Sequence, residues 1–303
     1  MSVRLFHQNM RNFGGVGRAN EFVTAFGQAR VADFNGDRIA IAGFTEITNA
    51  NSTVAALTAS AQALQGQAMA APIFFAAGTT YTGSLQEYVA ICVDQYTQVD
   101  ACAASYLYVS QADPRNVLIY VVTSQNAAAM ANLPPGTIQQ GGVTYSLGIN
   151  YRCIAFVQVT MQVTAARAVQ FVAGFTHNVC QSGDPGKLIT YLPKVCLQVC
   201  NALNIDETDW PIIIGGDFNG RPHNVGIGGV PLQAFRYQQN GKDVNTTRAN
   251  CLDFWFSSVD ELDGQGPDID NGSCDLHPQP LLMTYNGTTT TLSDHAGISI
   301  IVY

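Results

Sequence analysis

The sequence predicts a layered α/β fold, and three observations support this prediction. The chain has 303 residues, of which 47% are hydrophobic and 12% charged, so it can bury a large core. Short apolar runs of strand length alternate with longer runs whose apolar residues recur every three or four positions, as in helices. Several strand-like runs end at a polar side chain, which is where layered folds place ligands and catalytic groups. We expect residues 1–303 to form one domain.

Apolar runs and their spacing predict the individual elements. Strands are expected at residues 3–8, 39–44, 73–77, 88–93, 117–123, 154–163, 169–175, 252–256 and 298–302, with a further strand that begins at Ile212 and stops at the two glycines that follow. Helices are expected at residues 18–31, 53–64 and 185–203, the last of them begun by a proline. Turns are expected at residues 9–15 and 78–84, and the polar, glycine-rich residues 124–150 are expected to form a surface excursion.

The most informative stretch is residues 212–219, in which three isoleucines lead to two glycines, an aspartate, a phenylalanine and an asparagine. The apolar part predicts a strand covered on both faces, and the glycines permit a tight turn or a close backbone approach. Asp217 and Asn219 are expected on the same side, because side chains along a strand repeat every second residue. An Asx turn that closes the strand would use the same two residues.

The charge balance argues against a generic basic surface for nucleic acid. Fourteen Lys and Arg residues face twenty-two Asp and Glu residues, which gives a net charge of −8. An anionic substrate is still compatible with this composition, because carboxylates that hold divalent cations create a locally positive field. No run has the length of a membrane span, and no apolar signal region precedes the first strand. These absences predict a cytoplasmic protein or the mature form of an exported one, and no protein partner is inferable.

The eight cysteines show no Cys-x-x-Cys spacing of a zinc site. Most lie inside apolar runs, where a buried free thiol is expected. If any disulfide forms, the expected pair is Cys251 with Cys274, which flank a loop.

Five segments, in chain order, resemble the endonuclease/exonuclease/phosphatase superfamily and, within it, the pancreatic-type deoxyribonuclease branch. Residues 9–14 are similar to the family's Asn-x-Arg-x-Phe-Gly, residues 45–46 to its Gln-Glu, and residues 216–219 are its Gly-Asp-Phe-Asn. Residues 252–258 are similar to its Asp-bearing strand and residues 293–295 to its terminal Ser-Asp-His. The resemblance implies a four-layer αββα sandwich, in which two mixed sheets pack face to face between helices.

The resemblance also implies a divalent metal, most often Mg²⁺, with Mn²⁺ as a substitute and Ca²⁺ as a candidate structural ion. Glu46 takes the place of the principal ligand, with Asn9 and Asp294 beside it. Oxygen ligands of this kind suit magnesium.

The catalytic residues implied by the resemblance are two histidines, each with a carboxylate partner. His177 pairs with Glu87 and His295 with Asp253, while Asp217 and Asn219 complete the metal and phosphate environment, and Arg11 and Arg152 take the places of phosphate-contacting arginines. Phosphoester hydrolysis needs such groups on general grounds, because water must lose a proton and the leaving alkoxide must gain one near neutral pH. His7, His223 and His277 have no such context and are interpreted as structural or surface residues.

Two departures from the branch that cuts duplex DNA affect the expected substrate. Thr48 and Leu85 occupy the positions of its minor-groove arginine and tyrosine, so a preference for duplex DNA is doubtful. The first hypothesis is a nuclease acting on DNA or RNA as a phosphodiesterase. The alternatives are a phosphatase or a phospholipid or inositol-phosphate phosphodiesterase of the same fold, and a catalytically inactive binding scaffold.

Overall fold

The fold is that of a computed structural model, which describes residues 3–14, 18–32, 34, 36–79, 86–148, 152–178, 185–236, 238–239, 242–243, 246, 252–259, 274–276, 282–285, 288–291, 293, 295 and 297–302. The helices are α1 (Ala19–Ala32), α2 (Ala50–Gln65) and α3 (Pro185–Leu203). The strands, in chain order, are β1 (Val3–Phe13), β2 (Arg38–Ile47), β3 (Ile73–Thr79), β4 (Gln86–Val93), β5 (Thr97–Ser110), β6 (Val117–Ser124), β7 (Thr137–Gln140), β8 (Val143–Leu147), β9 (Ile154–Thr164), β10 (Arg167–His177), β11 (Ile212–Asp217), β12 (Gln233–Phe235), β13 (Gln238–Gln239), β14 (Lys242–Asp243), β15 (Asp253–Ser257), β16 (Asp275–Leu276), β17 (Leu282–Tyr285), β18 (Thr288–Thr291) and β19 (Ile298–Val302).

Most of the strands form two mixed sheets. Within the described ranges, the smaller sheet has six strands in the order β16-β19-β1-β2-β4-β3, and only β1 and β2 in it run parallel. The larger sheet has nine strands, with the order β12-β15-β11-β10-β9-β5-β8-β7 and with β6 on the other side of β5. Its parallel pair is β10 with β11. The strands β13 with β14 and β17 with β18 form two short ribbons.

Three apolar clusters separate the layers of the fold. The central cluster lies between the sheets and joins Leu5 and Ile91 of the smaller sheet to Phe171 and Trp255 of the larger one. A second cluster packs α1 and α2 on the outer face of the smaller sheet, and a third packs α3 on the outer face of the larger sheet. These layers confirm the predicted αββα sandwich of two mixed sheets.

None of the helices in the described part of the chain is long and apolar enough to cross a membrane.

Three details differ from the sequence prediction. Strand β5 was not predicted, because its first residues are polar and partly exposed and alanine fills three of the positions 101–104. The expected turn at residues 9–15 is strand up to Phe13, since Met10 and Phe13 are buried against the helices. Residues 124–150 are not only a surface excursion, because β7 and β8 within them extend the larger sheet along β5.

The glycines before Asp217 serve close packing and not a turn, since both lie inside β11. A Cβ atom on Gly215 would lie 2.4 Å from the ring of Trp255, and one on Gly216 would lie 2.3 Å from the carbonyl oxygen of Thr176. The neighbouring strand and the indole ring can approach the backbone of β11 only because both residues lack a side chain.

We expect Gly216→Ala to lower the free energy of unfolding by about 1–3 kcal/mol, because the methyl group meets backbone that cannot move aside. The matched control is Gly27→Ala in α1, where the added Cβ has no atom within 4 Å. That change should stabilise the protein by about 0.5–1 kcal/mol, since alanine is the better helix former. Urea titration of both variants measures the difference, and an unchanged midpoint for Gly216→Ala would contradict the packing argument.

The described cysteines agree with the expectation of buried thiols. Cys92, Cys102, Cys153, Cys196 and Cys200 are buried and unbonded. Burial raises the pKa of the Cys102 thiol to about 11, so it is protonated at neutral pH. Cys251 lies outside the described residues, and its pairing with Cys274 stays a prediction.

Candidate active site

The register of three neighbouring strands places three polar side chains side by side at one end of the larger sheet. His177 at the end of β10 lies opposite Asp217 at the end of β11, and Asp217 lies opposite Asp253 at the start of β15. Asn9 of β1 and Glu46 of β2 reach the same place from the smaller sheet, where Asn9 is opposite Thr45. The site therefore lies where the ends of the two sheets meet.

His177 and Glu87 form the first histidine–carboxylate dyad. Nδ1 of His177 lies 2.6 Å from Oε1 of Glu87, and the other oxygen of Glu87 accepts from Nε of Arg152 at 3.2 Å. Burial alone would raise the pKa of Glu87, but His177 and Arg152 outweigh it and hold that pKa below its ordinary value. Burial likewise disfavours a charged His177, yet Glu87 and Glu46 raise its pKa to about 9.

His295 and Asp253 form the second dyad. Nδ1 of His295 lies 2.8 Å from Oδ2 of Asp253, and the hydroxyl of Thr246 donates to the same oxygen at 2.7 Å. The backbone N–H of Asp253 in turn donates to the Thr246 hydroxyl at 3.0 Å. Burial opposes ionisation of Asp253, but His295 and the other neighbours hold its pKa below the ordinary value. Both dyads thus fix Nδ1 of the ring and leave Nε2 facing the centre of the site.

Asp217 occupies that centre. Its Oδ2 lies 3.5 Å from Nε2 of His295 and 3.8 Å from Nε2 of His177. The side-chain amide of Asn9 donates both to this oxygen, at 3.2 Å, and to Oε1 of Glu46, at 2.9 Å. Burial raises the pKa of Asp217 to about 6, with His295 opposing the shift and the charge of Asp253 adding to it. The centre is thus a buried carboxylate with further carboxylates close by.

Three of the site residues have positive φ angles, which residues other than glycine rarely adopt. The φ angles are 51° at Arg11, 56° at Glu46 and 49° at Asn219. Oδ1 of Asn9 accepts from the backbone N–H of Arg11 at 2.9 Å, and Oδ1 of Asp217 accepts from that of Asn219 at 3.0 Å. The Asx turn considered from the sequence is therefore present, and it coexists with the placement of Asp217 in the site. Such conformations concentrate at functional sites, where the surrounding structure holds them.

The donor set fits a hard divalent cation. Glu46 and Asp217 offer carboxylate oxygens and both lie beside the same Asn9 amide and the same His177 nitrogen. A second combination also has suitable spacing, since one atom each of Asp217, Asp253 and His295 lies within 4.8 Å of the others. A cation there would occupy Nε2 of His295 or displace Asp253 from Nδ1, and either change removes a group that the dyad uses. A cation fits better between Asp217 and Glu46, because the Glu46 side chain is 16% exposed and both dyads stay intact.

The remaining predicted site residues lie around the edge of this centre or outside the described part of the chain. Arg11 is exposed beside Asn9, whereas Arg152 is buried and contacts Glu87. Asn219 lies at the turn after β11, where its side-chain amide donates to the carbonyl oxygen of Asn178 at 2.6 Å. Asp294 and Leu85 lie outside the described residues, so their predicted places stay predictions. Thr48 is described and its backbone N–H donates to the carbonyl oxygen of Phe13 at 3.0 Å.

Sequence reasoning missed three contributors to the site. His7, interpreted as structural or surface, is a fully buried residue, in agreement with the structural alternative, but its position 3.8 Å from Asp253 was not predicted. Its position two residues before Asn9 on one strand was the available signal, because such residues face the same side. Thr246 supports Asp253, and Asn178 donates to the carbonyl oxygen of Phe218 at 3.1 Å, behind the turn at Asn219. For these two the sequence holds no comparable signal.

The fold is that of the endonuclease/exonuclease/phosphatase type of sandwich, and solved structures with this fold resemble the chain. A family protein from Bacteroides thetaiotaomicron is 14% identical with a TM-score of 0.51, over 100% of this chain and 97% of that one. The human Nocturnin catalytic domain, solved with a bound sulfate anion, is 12% identical with a TM-score of 0.54, over 100% and 94% of the two chains. A family protein from Leptotrichia buccalis is 12% identical with a TM-score of 0.51, over 100% of both chains.

These likenesses show the fold and do not point to the pancreatic-type branch. No family model matches the sequence, and no curated protein matches it.

Proposed function

We propose that the protein is a divalent-metal-dependent phosphodiester hydrolase that acts on nucleic acid. The observation that carries this proposal is the pair of dyads whose Nε2 atoms lie 3.8 Å and 3.5 Å from the same oxygen of Asp217. Two rings that face one point can take a proton from an attacking water and give one to a departing oxygen. The fold shared with endonuclease/exonuclease/phosphatase family proteins supports this reading.

The two rings are suited to different roles in this proposal. His295 keeps its hydrogen on Nδ1, directed at Asp253, so its Nε2 accepts the proton of the attacking water. His177, whose Nδ1 is held by Glu87, would hold a proton on Nε2 and pass it to the leaving oxygen when the P–O bond breaks. The carboxylates of Asp253 and Glu87 stabilise the ring that is charged at each stage.

The metal in this proposal is Mg²⁺, for which Mn²⁺ can substitute. Glu46 and Asp217 would hold it, with Asp294 as a further ligand from the sequence resemblance. When bound, such a cation neutralises charge on the phosphoryl oxygens. Asn9 keeps the two carboxylates together through its amide, and Arg11 is exposed beside it as the predicted phosphate contact.

The charge of the chain points to single-stranded or flexible substrates over duplex DNA. A net charge of −8 provides no broad basic surface, and Thr48 replaces the arginine of duplex-cutting relatives. Few phosphate contacts release few counterions on binding. Single strands also bend into a cleft more easily than a duplex does.

We expect purified protein to cleave single-stranded oligonucleotides at least as fast as matched duplexes in Mg²⁺. Binding to the His177→Ala variant should depend weakly on salt, with a logarithmic slope of roughly −1 to −3. The measurement is a salt titration beside cleavage of matched DNA, RNA and a phosphomonoester, and His223→Ala at an exposed position is the active control. A steep slope with strong duplex preference would mean that another element, such as residues 124–150, recognises duplex DNA.

Other outcomes of the same panel select the alternatives. Release of phosphate from the monoester alone would make the protein a phosphatase. Binding without cleavage of any substrate, with Mg²⁺ or Mn²⁺ present, would favour a catalytically inactive scaffold.

A further inference from the structure

A third histidine lies behind the active site and contacts neither of the two catalytic rings in the proposed reaction. His7 is fully buried in β1, and its ring stacks on Phe175 with 6.4 Å between the centroids and 20° between the planes. Its Nε2 lies 3.2 Å from the hydroxyl of Thr45, the residue before Glu46. Its Nδ1 lies 3.8 Å from Oδ1 of Asp253. His7 thus lies between the strand end that leads to Glu46 and the carboxylate that orients His295.

The two oxygens of Asp253 differ in their surroundings. Oδ2 accepts from both His295 and Thr246, whereas Oδ1 has no hydrogen-bond partner among the described residues, and the same holds for Nδ1 of His7. A buried polar group that stays unpaired costs about 1–3 kcal/mol. A movement of under about 1 Å would bring these two atoms to the ordinary N–H···O distance of about 2.9 Å. The contact is therefore poised to form a hydrogen bond.

The chemistry of the ring decides which nitrogen holds the hydrogen. A neutral imidazole has one N–H, which either ring nitrogen can hold. With the hydrogen on Nε2, a lone pair of Nδ1 would face the negative oxygen of Asp253. With the hydrogen on Nδ1, the N–H faces Oδ1 of Asp253 at 3.8 Å, and Nε2 accepts from the Thr45 hydroxyl. This second tautomer would satisfy every group once the 3.8 Å contact shortens to a hydrogen bond.

We propose that His7 is a positioning residue, whose Nδ1–H holds Oδ1 of Asp253 while Thr45 holds its Nε2. His7 thereby holds the Asp253–His295 dyad at a fixed position relative to the end of β2 at Glu46. The proposal rests on the proposed hydrolase function, in which His295 is the base. Residues that orient a ligand or a catalytic ring in this way are commonly worth a factor of about 10–100 in activity.

The kinetic test compares three variants under saturating Mg²⁺ with the substrate that the parent cleaves best. His7→Phe keeps a flat ring against Phe175 and removes the donor, and we expect kcat to fall by roughly ten- to a hundredfold with KM within about twofold. His7→Asn returns an N–H near the position of Nδ1 and should regain most of the loss. Phe75→Leu, in the same core between the sheets, is the control for general loosening and should keep the parent kcat.

A second readout does not depend on activity. Ring nitrogens and their hydrogens can be observed by NMR on protein labelled at histidine, and the Nδ1–H of His295 bonded to Asp253 should give a downfield signal. We expect this signal to shift or broaden in His7→Phe, to be retained in His7→Asn and to be unchanged in Phe75→Leu. If His7→Phe does not fold, His7→Leu makes the same comparison in a smaller side chain.

The outcomes separate the two proposals. A parent that hydrolyses no phosphoester with any divalent cation would refute the proposed function, while the NMR comparison would still decide the role of His7. A His7→Phe protein with the parent kcat and the parent His295 signal would overturn the positioning role. An equal loss of kcat in Phe75→Leu would assign the effect to loosened packing.

Discussion

Replacing His177 or His295 by alanine is expected to lower kcat by at least about a hundredfold, with little change in the thermal melting temperature. General acid and base groups are each worth roughly a hundred- to ten-thousandfold in rate, and each ring directs its Nε2 at Asp217. The side chains of His177 and His295 are 14% and 10% exposed. Truncation of either ring to alanine therefore leaves a small gap that is open to solvent. The measurement is kcat for each single variant and for the double variant.

The two losses should not multiply in the double variant, because both rings serve one transition state. Exposed His223 is the matched control, and its alanine variant should have the parent rate. A near-parent rate for either His177→Ala or His295→Ala, with unchanged melting, would remove that ring from the mechanism. A loss accompanied by a large fall in melting temperature would instead assign the ring a structural role.

Chelation of divalent cations is expected to abolish turnover, and Glu46→Gln is expected to abolish it even in excess Mg²⁺. The centre of the site concentrates negative charge, since Asp217 is buried among Glu46 and Asp253 and its pKa is raised to about 6. An anionic phosphate would be repelled from this cluster in the absence of a cation. Glutamine has the size of glutamate and can still accept from the Asn9 amide, so the fold should persist while the ligand charge is lost.

The control for Glu46 is a variant that changes an ion-paired carboxylate outside the site. Asp94 is such a residue, paired with Arg38 at 3.0 Å. Asp94→Asn should lower stability and leave the metal requirement unchanged. Full turnover in excess chelator, or parent activity in Glu46→Gln, would contradict the metal role of Glu46.

The sequence predicted elements best where one pattern decided the structure. Helix α3 and strand β19 have the predicted bounds, because a proline begins the helix and a short run with four apolar residues of five forms the strand. Strand β5 escaped prediction because its polar first half lacks apolar alternation, and its place in the sheet depends on pairing with β6 and β9. Periodicity indicated a layered α/β fold, whereas the four-layer order with two sheets face to face followed from the motif resemblance.

The site was predictable where residue type and motif agreed, and less so where packing decides. The structure brings His177 beside Glu87 and His295 beside Asp253, as the resemblance implied. The burial of Arg152 against Glu87 could not be read from the sequence, because it depends on how β4 and the start of β9 approach each other. The place of His7 depends in the same way on contact between two sheets.

Each dyad is divided between the two sheets, and this has a consequence for how activity arises during folding. Glu87 belongs to the smaller sheet and His177 to the larger, while Asp253 belongs to the larger sheet and His295 precedes a strand of the smaller. A chain in which only one sheet has formed places two of these four side chains and contains no complete proton-transfer pair. In the proposed hydrolase, catalytic competence is therefore acquired in one event, when the two sheets dock, and partly folded molecules are inert.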